Sequence, residues 1–256
     1  MYAEERQQAI ATEVRARGRV AVAELAVRFD VTGETVRRDL GLLARQGILV
    51  RVHGGAVRPD LGEVAEERDL GQRELSRSAE KSAIGVAAQA FLPPDGGSVL
   101  FDAGTTTLRA ALAVPAERRL TVITNAVPLA AHLSSLPHCE VTLVGGRIRG
   151  KTQAAVGADT VDALRRLRVH VAFLGTNGLS RVHGLSTPDP DEAAAKSAML
   201  AAAEKVVVLA DSSKFNRQDL VRFGALSDVD VVVTDAGLDP AVRNELRDLD
   251  LEVVIA

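Results

Sequence analysis

The sequence lacks the features that a disulfide-rich or membrane-spanning protein needs. Cys139 is the only cysteine in 256 residues, which excludes a disulfide framework and a cysteine-based zinc site within one chain. No run approaches the roughly 18 uninterrupted apolar residues of a membrane-spanning helix, and the charged N-terminal stretch has no apolar signal-peptide core. We therefore expect a cytoplasmic protein that uses no membrane, metal or cofactor.

The chain also lacks a net positive charge, since its formal net charge is -3. For the chain as a whole this argues against nucleic-acid binding, which requires local positive potential. The charge is uneven, however, because residues 1–58 carry 10 arginines against seven acidic residues, whereas the remainder carries 21 basic against 27 acidic residues. The basic excess in the first segment favours a nucleic-acid partner for that segment.

The length and the 46% hydrophobic content are those of a globular chain with a small and a medium domain. A polar, acidic stretch without apolar periodicity separates two patterned segments. We predict a first domain at 1–58, a linker at 59–80 that can become helical, and a second domain at 81–256.

The first segment has the pattern of a winged helix-turn-helix. Apolar periodicity predicts helices at 4–17, 22–29 and 33–46, with Thr32 as the N-cap of the third and Gly47 as its terminator. Short β-like runs at 48–52 and 56–57 flank a glycine-containing turn and predict a hairpin, the wing.

The third predicted helix carries a threonine and three arginines opposite its apolar face. In a helix-turn-helix this helix lies in the major groove, where arginine can contact guanine with two hydrogen bonds. The alternative is a solvated face on which the arginines pair with Glu34 and Asp39. The predicted DNA-contacting residues are Thr32, Thr35, Arg37, Arg38, Arg45, Arg51 and His53.

From residue 81 onward, predicted helices and strands alternate. Nearly continuous apolar strands, such as 206–209, are typical of a parallel sheet that is covered on both faces. Small or polar loops follow several of these strands, and ligands of open α/β sheets bind at the carboxyl ends of strands. The sequence therefore predicts a mostly parallel α/β domain with a ligand site at this edge.

The stretch 102–107 (DAGTTT) follows a predicted strand and opens a helix. Free backbone N–H groups, threonine hydroxyls and a glycine at that position form a site suited to a phosphate. The alternative is an ordinary turn with a threonine cap.

Charged residues further along the chain are also suited to binding a phosphorylated ligand. Lys196 and Lys214 can neutralise a sugar phosphate, and Glu192 can bind a hydroxyl. The alternatives are a surface ion pair between Glu192 and Lys196, four positions apart, and a solvated loop position for Lys214. The predicted effector-binding residues are Asp102, Gly104, Thr105, Thr106, Thr124, Asn125, Gly146, Arg147, Asn177, Gly178, Glu192, Lys196 and Lys214.

Several stretches resemble the DeoR family of bacterial regulators. At the N-terminus these are residues 22–26 (VAELA), 35–40 (TVRRDL) and 52–56 (VHGGA); in the second segment they are residues 192–196 (EAAAK) and 210–215 (ADSSKF). Gly33 and Ser197 depart from the family pattern, the latter where many relatives carry a second basic residue.

The resemblance covers nearly the whole chain. It implies a homo-oligomeric repressor of a sugar-metabolism operon that binds double-stranded operator DNA. It also implies a sensor domain similar in fold to ribose-5-phosphate isomerase, which responds to a phosphorylated sugar. The loop 149–153 (RGKTQ) is similar to that of fructose-responsive members and implies fructose 1-phosphate.

Two other functions remain open at this level. One is a sugar-phosphate isomerase with an accessory DNA-binding domain, in which Asp102 or Glu192 would be the base. The other is an activator instead of a repressor.

Overall fold

The computed structural model describes residues 3–17, 19–45, 48–52, 55–57 and 69–256, and the chain divides into two compact units, Met1–Glu67 and Arg68–Ala256. Within those ranges, none of the helices combines the length and apolar character that spanning a bilayer requires. The expected linker lies partly outside the described residues, and its remainder carries one helix and the start of another.

The first unit is a winged helix-turn-helix, as predicted. Strand β1 was not predicted, because three residues are too few to show an alternating pattern; it pairs with β3 in an antiparallel sheet of order β1-β3-β2. The elements are α1 (Ala3–Arg17), β1 (Arg19–Ala21), α2 (Val22–Phe29), α3 (Gly33–Arg45), β2 (Val50–Val52) and β3 (Gly55–Val57).

The turn between α2 and α3 is set by two local features. Asp30 ends α2 in the left-handed region with φ +50°, a conformation that aspartate tolerates better than most residues. The Thr32 hydroxyl accepts a hydrogen bond from the Thr35 N–H at 3.2 Å, which caps α3 as predicted. Apolar side chains of the three helices and the sheet, including Ile10, Leu25 and Leu40, form a core beneath them.

Gly55 lets the hairpin pack directly on β1. A Cβ atom added at Gly55 would lie 2.1 Å from the carbonyl oxygen of Val20. Because that distance is far below van der Waals contact, a side chain at Gly55 would push β1 away from β3.

The second unit alternates helices and strands, with short 3₁₀ turns at Ala88–Phe91, Ser212–Lys214 and Leu226–Asp228. Its elements are α4 (Leu70–Leu75), α5 (Ser78–Ala87), β4 (Ser98–Phe101), α6 (Thr105–Leu112), β5 (Leu120–Thr124), α7 (Val127–Leu133), β6 (Cys139–Leu143), β7 (Arg147–Arg149), β8 (Ala154–Val156), α8 (Ala158–Leu164), β9 (Val169–Gly175), β10 (Gly178–Ser180), β11 (Gly184–Thr187), α9 (Pro190–Ala202), β12 (Ala203–Leu209), β13 (Val221–Gly224), β14 (Val231–Thr234), α10 (Pro240–Arg247) and β15 (Glu252–Ile255).

Between residues 69 and 256, seven strands form one parallel sheet of order β15-β14-β12-β9-β4-β5-β6. The chain runs outward from β4 to β6 and then crosses back to β9 on the other side of β4. The winding direction thus reverses between β4 and β9, and the crevice at the carboxyl ends of such a strand pair is the usual ligand position in this architecture.

Both faces of the sheet are buried, as predicted for strands with continuous apolar runs. Val99 and Phe101 of β4 point to one core, whereas Leu100 points to the other. Phe101 stacks on Phe173 of β9 with ring centroids 5.1 Å apart. This packing fixes the two strands whose ends form the crevice.

Two smaller antiparallel sheets, β10-β11-β13 and β7-β8, flank the main sheet. Neither was predicted, because their strands are only three or four residues long.

Candidate functional site

Helix α3 presents two of the predicted DNA-contacting arginines to solvent. Val36 is buried, whereas Arg37 and Arg38 are exposed. Arg37 pairs with Glu34 at 3.2 Å, and Arg38 forms no ion pair with any described residue. Because an exposed pair of this kind contributes only about 0–1 kcal/mol, both arginines remain available to a partner.

Asp39 does not belong to that exposed face, so the pairing of the arginines with Asp39 is wrong. Its carboxylate accepts hydrogen bonds from Arg6 Nε at 2.6 Å and from Gln7 Nε2 at 2.8 Å. Arg6 and Asp39 are both buried and join α1 to α3. Their pairing orients the recognition helix on the body of the unit.

The other predicted DNA contacts are only partly described. Thr32 uses its hydroxyl on the cap of α3, where it also lies 3.0 Å from the Thr35 hydroxyl. Arg45 ends α3 and Arg51 lies in β2, while their side chains, together with His53, fall outside the described residues.

In the second unit, Asp102 and Lys196 form a buried ion pair at the reversal point of the sheet. Lys196 Nζ donates to Asp102 Oδ2 and to the Gly175 carbonyl at 2.9 Å. The same Oδ2 accepts the Gly175 N–H at 2.9 Å. The end of β4, the end of β9 and helix α9 thus meet at one carboxylate.

Glu192 lies one turn before Lys196 and is held by other partners. Its Oε1 accepts hydrogen bonds from Thr152 and from Arg149 Nη1, the latter at 3.2 Å, and its Oε2 accepts from Thr187 at 3.3 Å. The reading of Glu192 and Lys196 as a surface ion pair is therefore wrong, since both are 5% exposed and contact different groups.

The loop that precedes β8 reaches this carboxylate. Arg149 also donates to Asp189 at 3.0 Å. Burial alone would raise the pKa of Asp189, but the Glu192 N–H and Arg149 hold it below its ordinary value. The Thr187 hydroxyl oxygen also lies 3.3 Å from Asn177 Oδ1, so its single proton is donated either to Asn177 or to Glu192 at one time.

Asp102, Glu192 and Lys196 line a small cleft with a cavity volume of about 10 Å³, which is also bounded by Ala103, Asn125 and Ala154. Asn125 Nδ2 donates to the Ala155 carbonyl at 3.0 Å, whereas its buried Oδ1 accepts no hydrogen bond from the described residues. The Thr124 hydroxyl accepts from the Ala126 N–H at 3.0 Å. A residue that lines the cleft thus has a buried acceptor that none of the described residues satisfies.

Helix α6 begins beside the cleft without a side-chain cap. Gly104 occupies the N-cap position, and no side chain accepts from the first turn, so the alternative of a threonine-capped turn is wrong. Thr105 and Thr106 are buried, and the Thr107 hydroxyl donates to the Gly104 carbonyl at 2.9 Å. The N–H groups of the first turn remain available to an anion.

A basic cluster that the sequence did not reveal lies near the carboxyl end of β12. Lys81 of α5 is 4% exposed. Burial lowers the pKa of Lys81 to about 8; Asp211 opposes this shift, and Lys214, Arg73 and Arg109 add to it. Sequence pattern gave no signal for Lys81, because it lies in a polar stretch at the start of a helix.

Lys214 is half-buried in the same cluster instead of fully solvated. Burial lowers its pKa, with Asp211 opposing and Arg73 and Arg217 adding to the effect. Burial would raise the pKa of Asp211, but Lys214, Ser213 and Arg77 hold it below its ordinary value. Burial is therefore the main cause of both lowered lysine pKa values, and neighbouring arginines add to it.

The remaining predicted effector residues, Gly146, Arg147 and Gly178, are not among the residues that line the cleft. Arg147 is exposed and pairs with Asp191. Gly146 approaches Thr160 so closely that an added Cβ would lie 2.0 Å from its Oγ1. Gly178 opens β10.

Ser197 donates its hydroxyl to the Phe223 carbonyl at 2.6 Å. The side chain of Ser197 is therefore bonded within the fold.

Family models match most of the chain. The model described as "DeoR-like helix-turn-helix domain" matches residues 6–61, and that described as "DeoR C terminal sensor domain" matches residues 76–236.

Three relatives are similar over nearly their full lengths. The HTH-type transcriptional regulator GlpR of Haloferax volcanii is 38% identical, over 91% of this chain and 90% of the relative. The glycerol-3-phosphate regulon repressor of Escherichia coli K12 is 31% identical over 97% of both chains. The HTH-type transcriptional repressor CsqR of the same organism is 30% identical over 93% of this chain and 90% of the relative.

Among solved structures, ribose 5-phosphate isomerase A from Methanocaldococcus jannaschii covers 55% of this chain and 55% of its own, with 15% identity and a TM-score of 0.41. A likeness of this size supports no conclusion about function. The two family models and the full-length relatives do support one: the chain belongs to the DeoR family of DNA-binding transcription regulators.

Proposed function

We propose that the chain is a sequence-specific repressor of a sugar-metabolism operon, which leaves its operator when a phosphorylated sugar occupies the sensor unit. The observation that carries the sensing part is the cleft at the reversal point of the sheet. Asp102, Asn125, Glu192 and Lys196 are all buried there, although they come from two loops and a helix. Convergent polar groups in a cleft are typical of a small-molecule site.

In this proposal the sugar binds against the groups that line the cleft, which widens to admit it because its cavity volume is about 10 Å³. The unsatisfied Oδ1 of Asn125 accepts a sugar hydroxyl, because a buried acceptor without a partner costs stability until a ligand donates to it. Glu192, held by Arg149 and Thr152, offers a fixed second acceptor. We place the border of the sugar at five residues that lie at strand ends or next to them, Thr124, Gly146, Arg147, Asn177 and Gly178.

The phosphate lies on the first turn of α6, against Gly104, Thr105 and Thr106. An uncapped helix N-terminus favours an anion, and Lys214 supplies charge from the neighbouring basic cluster. We propose fructose 1-phosphate as the first candidate effector, since residues 149–153 resemble the loop of fructose-responsive members and Arg149 contacts the cleft carboxylate of Glu192.

The DNA-binding part rests on the exposed face of α3. We propose that Thr35, Arg37 and Arg38 contact base edges, and that Thr32, Arg45, Arg51 and His53 contact the neighbouring backbone or bases. A homo-oligomer would place two such helices in successive major grooves, one helical turn of DNA apart.

Fluorescence anisotropy with DNA from the chain's own promoter region tests the proposal. We expect tight binding to one site, weak binding to random DNA, and loss of specific binding on addition of the effector. Thermal shift with a panel of sugar phosphates, including fructose 1-phosphate and glycerol 3-phosphate, identifies that effector, because a ligand of the folded state raises the melting temperature. Binding without sequence preference would refute the proposal.

An isomerase has less support, because the candidate bases are occupied. Asp102 Oδ2 is held by Lys196 and the Gly175 N–H, and both oxygens of Glu192 accept hydrogen bonds. Exchange of a carbon-bound proton of a bound sugar phosphate with solvent would support the isomerase function. Transcript levels in a deletion strain distinguish a repressor from an activator.

A further inference from the structure

We infer that helices α4 and α5 carry the occupancy of the sensor cleft to the DNA-binding unit, with Arg77 as the positioning residue; this inference rests on the proposed function. The two helices span Leu70–Ala87 and are the first described elements of the second unit. Any change that the sensor transmits along the chain to the first unit must therefore pass through them.

The first contact between these helices and the candidate site is made by Arg77, at the junction of α4 and α5. Its Nη1 donates to Asp211 Oδ1 at 3.2 Å and to Ser212 Oγ at 2.7 Å. Asp211 and Ser212 begin the turn that carries Lys214, the proposed phosphate partner. The position of the α4–α5 junction is thereby linked to that of the Lys214 turn.

Arg77 has a left-handed backbone conformation, with φ +54°. A non-glycine residue is uncommon in that region because its Cβ approaches the following carbonyl oxygen, so the surrounding contacts must hold Arg77 there. Lys81 contributes, since its Nζ donates to the Ser76 carbonyl at 2.6 Å and to that of Arg73. The junction is thus a defined but strained structure, which is a favourable place for a switch.

The second contact joins α4 and α5 to α6, the helix whose first turn faces the proposed phosphate. Arg109 Nη2 of α6 donates to Glu74 Oε1 at 3.2 Å and to Ser78 Oγ at 3.4 Å. At Gly85 the backbones of α5 and α6 are so close that an added Cβ would lie 2.6 Å from the Arg109 carbonyl carbon. Helix α5 must therefore follow a displacement of α6.

An anion bound between α6 and the Lys214 turn would act on both contacts at once. It would draw Lys214 away from Asp211. The Asp211 carboxylate, which Arg77 holds, would then change its position. Small shifts at an effector site become larger changes when packed elements have two discrete arrangements. The energy available is the differential affinity of the effector for the two states.

The experiment compares the full-length protein with Arg77→Ala, using fructose 1-phosphate and glycerol 3-phosphate as probes. Operator affinity is measured by anisotropy with and without each probe, and probe affinity by calorimetry without DNA. We expect Arg77→Ala to retain both separate affinities within about threefold, while the probe-induced loss of operator affinity, typically 5–150-fold in allosteric proteins, falls to less than twofold. Arg119→Ala, which removes an exposed pair with Asp95 in the same unit, should leave that loss unchanged.

Arg77→Lys provides a second variant if Arg77→Ala folds poorly, as judged by circular dichroism. Lysine retains one donor toward Asp211 and should restore part of the coupling. A probe-induced loss of operator affinity equal to wild type in both variants would overturn the inference.

Amide hydrogen exchange across residues 70–87 separates failure of the inference from failure of the proposed function. We expect a bound probe to slow exchange there in wild type and not in Arg77→Ala. If a probe binds but leaves operator affinity unchanged, the proposed function fails, while this difference in exchange would still support the link. Equal protection in the two proteins overturns the inference alone, and no binding by either probe overturns both.

Discussion

Lys196 and Asp102 form an ion pair although they are 94 positions apart in sequence. Both side chains are almost fully buried, and the pair joins helix α9 to the end of β4. Its charges compensate each other inside the protein, so the structure depends on both members being present.

Removing one member should therefore be costly. We expect Lys196→Met to lower the free energy of unfolding by about 3–5 kcal/mol, because Asp102 would remain as an unpaired buried charge. Urea denaturation followed by circular dichroism measures the change. The double variant Asp102→Asn/Lys196→Met should recover part of the loss, and Arg119→Ala, at an exposed pair, should cost about 1 kcal/mol or less. A loss for Lys196→Met as small as that of Arg119→Ala would contradict this prediction.

Arg38 should contribute to operator recognition, because it is exposed on α3 and has no ion-pair partner among the described residues. We expect Arg38→Ala to weaken specific binding by about 1–3 kcal/mol if the guanidinium contacts a base. Anisotropy against operator and random DNA measures both affinities. The matched control, Arg165→Ala, removes another exposed arginine, from a pair with Asp162 in the second unit. An equal loss on both DNAs would assign Arg38 to a phosphate.

Effector binding should weaken above pH 8, because burial lowers the pKa of Lys81 to about 8. Below that pH Lys81 is charged and adds to the positive potential at the proposed phosphate position. Calorimetric titration of the effector between pH 7 and pH 9 should show a falling affinity, and Lys81→Met should flatten this dependence. If effector affinity depends on pH in Lys81→Met as it does in wild type, Lys81 does not contribute to effector binding.

The same lysine predicts a rise in stability with pH. Its pKa in the folded protein lies below the ordinary value of 10.5, so the unfolded chain binds more protons between about pH 8 and 10.5. Stability from this group therefore increases as pH rises through that interval. Thermal unfolding of wild type against Lys81→Met isolates the contribution, which should be smaller in the variant.

The cap of α3 offers a test of the first unit. We expect Thr32→Ala to lower the stability of that unit by about 0.5–2 kcal/mol, because the Thr35 N–H loses its acceptor. Thr12→Ala is the control, since Thr12 is an exposed threonine inside α1 that donates to the Gln8 carbonyl, and alanine suits a helix interior at least as well. Denaturation monitored in the first unit should separate the two variants, and equal effects would argue against the cap.

Sequence pattern predicted the long elements well, because they carry strong local signals. Helix α2 was predicted with its observed bounds, and the apolar run 206–209 lies within β12. Strands such as β7 and β10 depend on pairing with distant segments instead of on their own three residues, so no local pattern marks them.

The same distinction applies to the site. Asp102, Asn125, Glu192 and Lys196 could be named, because loops at strand ends and helical spacing are visible in the sequence. Their partners could not be assigned. Asp39 pairs with Arg6, and Glu192 with Arg149, because folding brings together residues that are far apart in the chain.

The reversal of the sheet between β4 and β9 also bears on the order in which a newly made chain acquires its abilities. The core of the first unit lies within residues 10–56, so that unit has all of its packing partners early in synthesis. The ion pair of Asp102 can form only after Lys196 has been synthesised and has left the ribosome. A growing chain therefore has the parts to hold DNA long before it has the parts to detect a ligand.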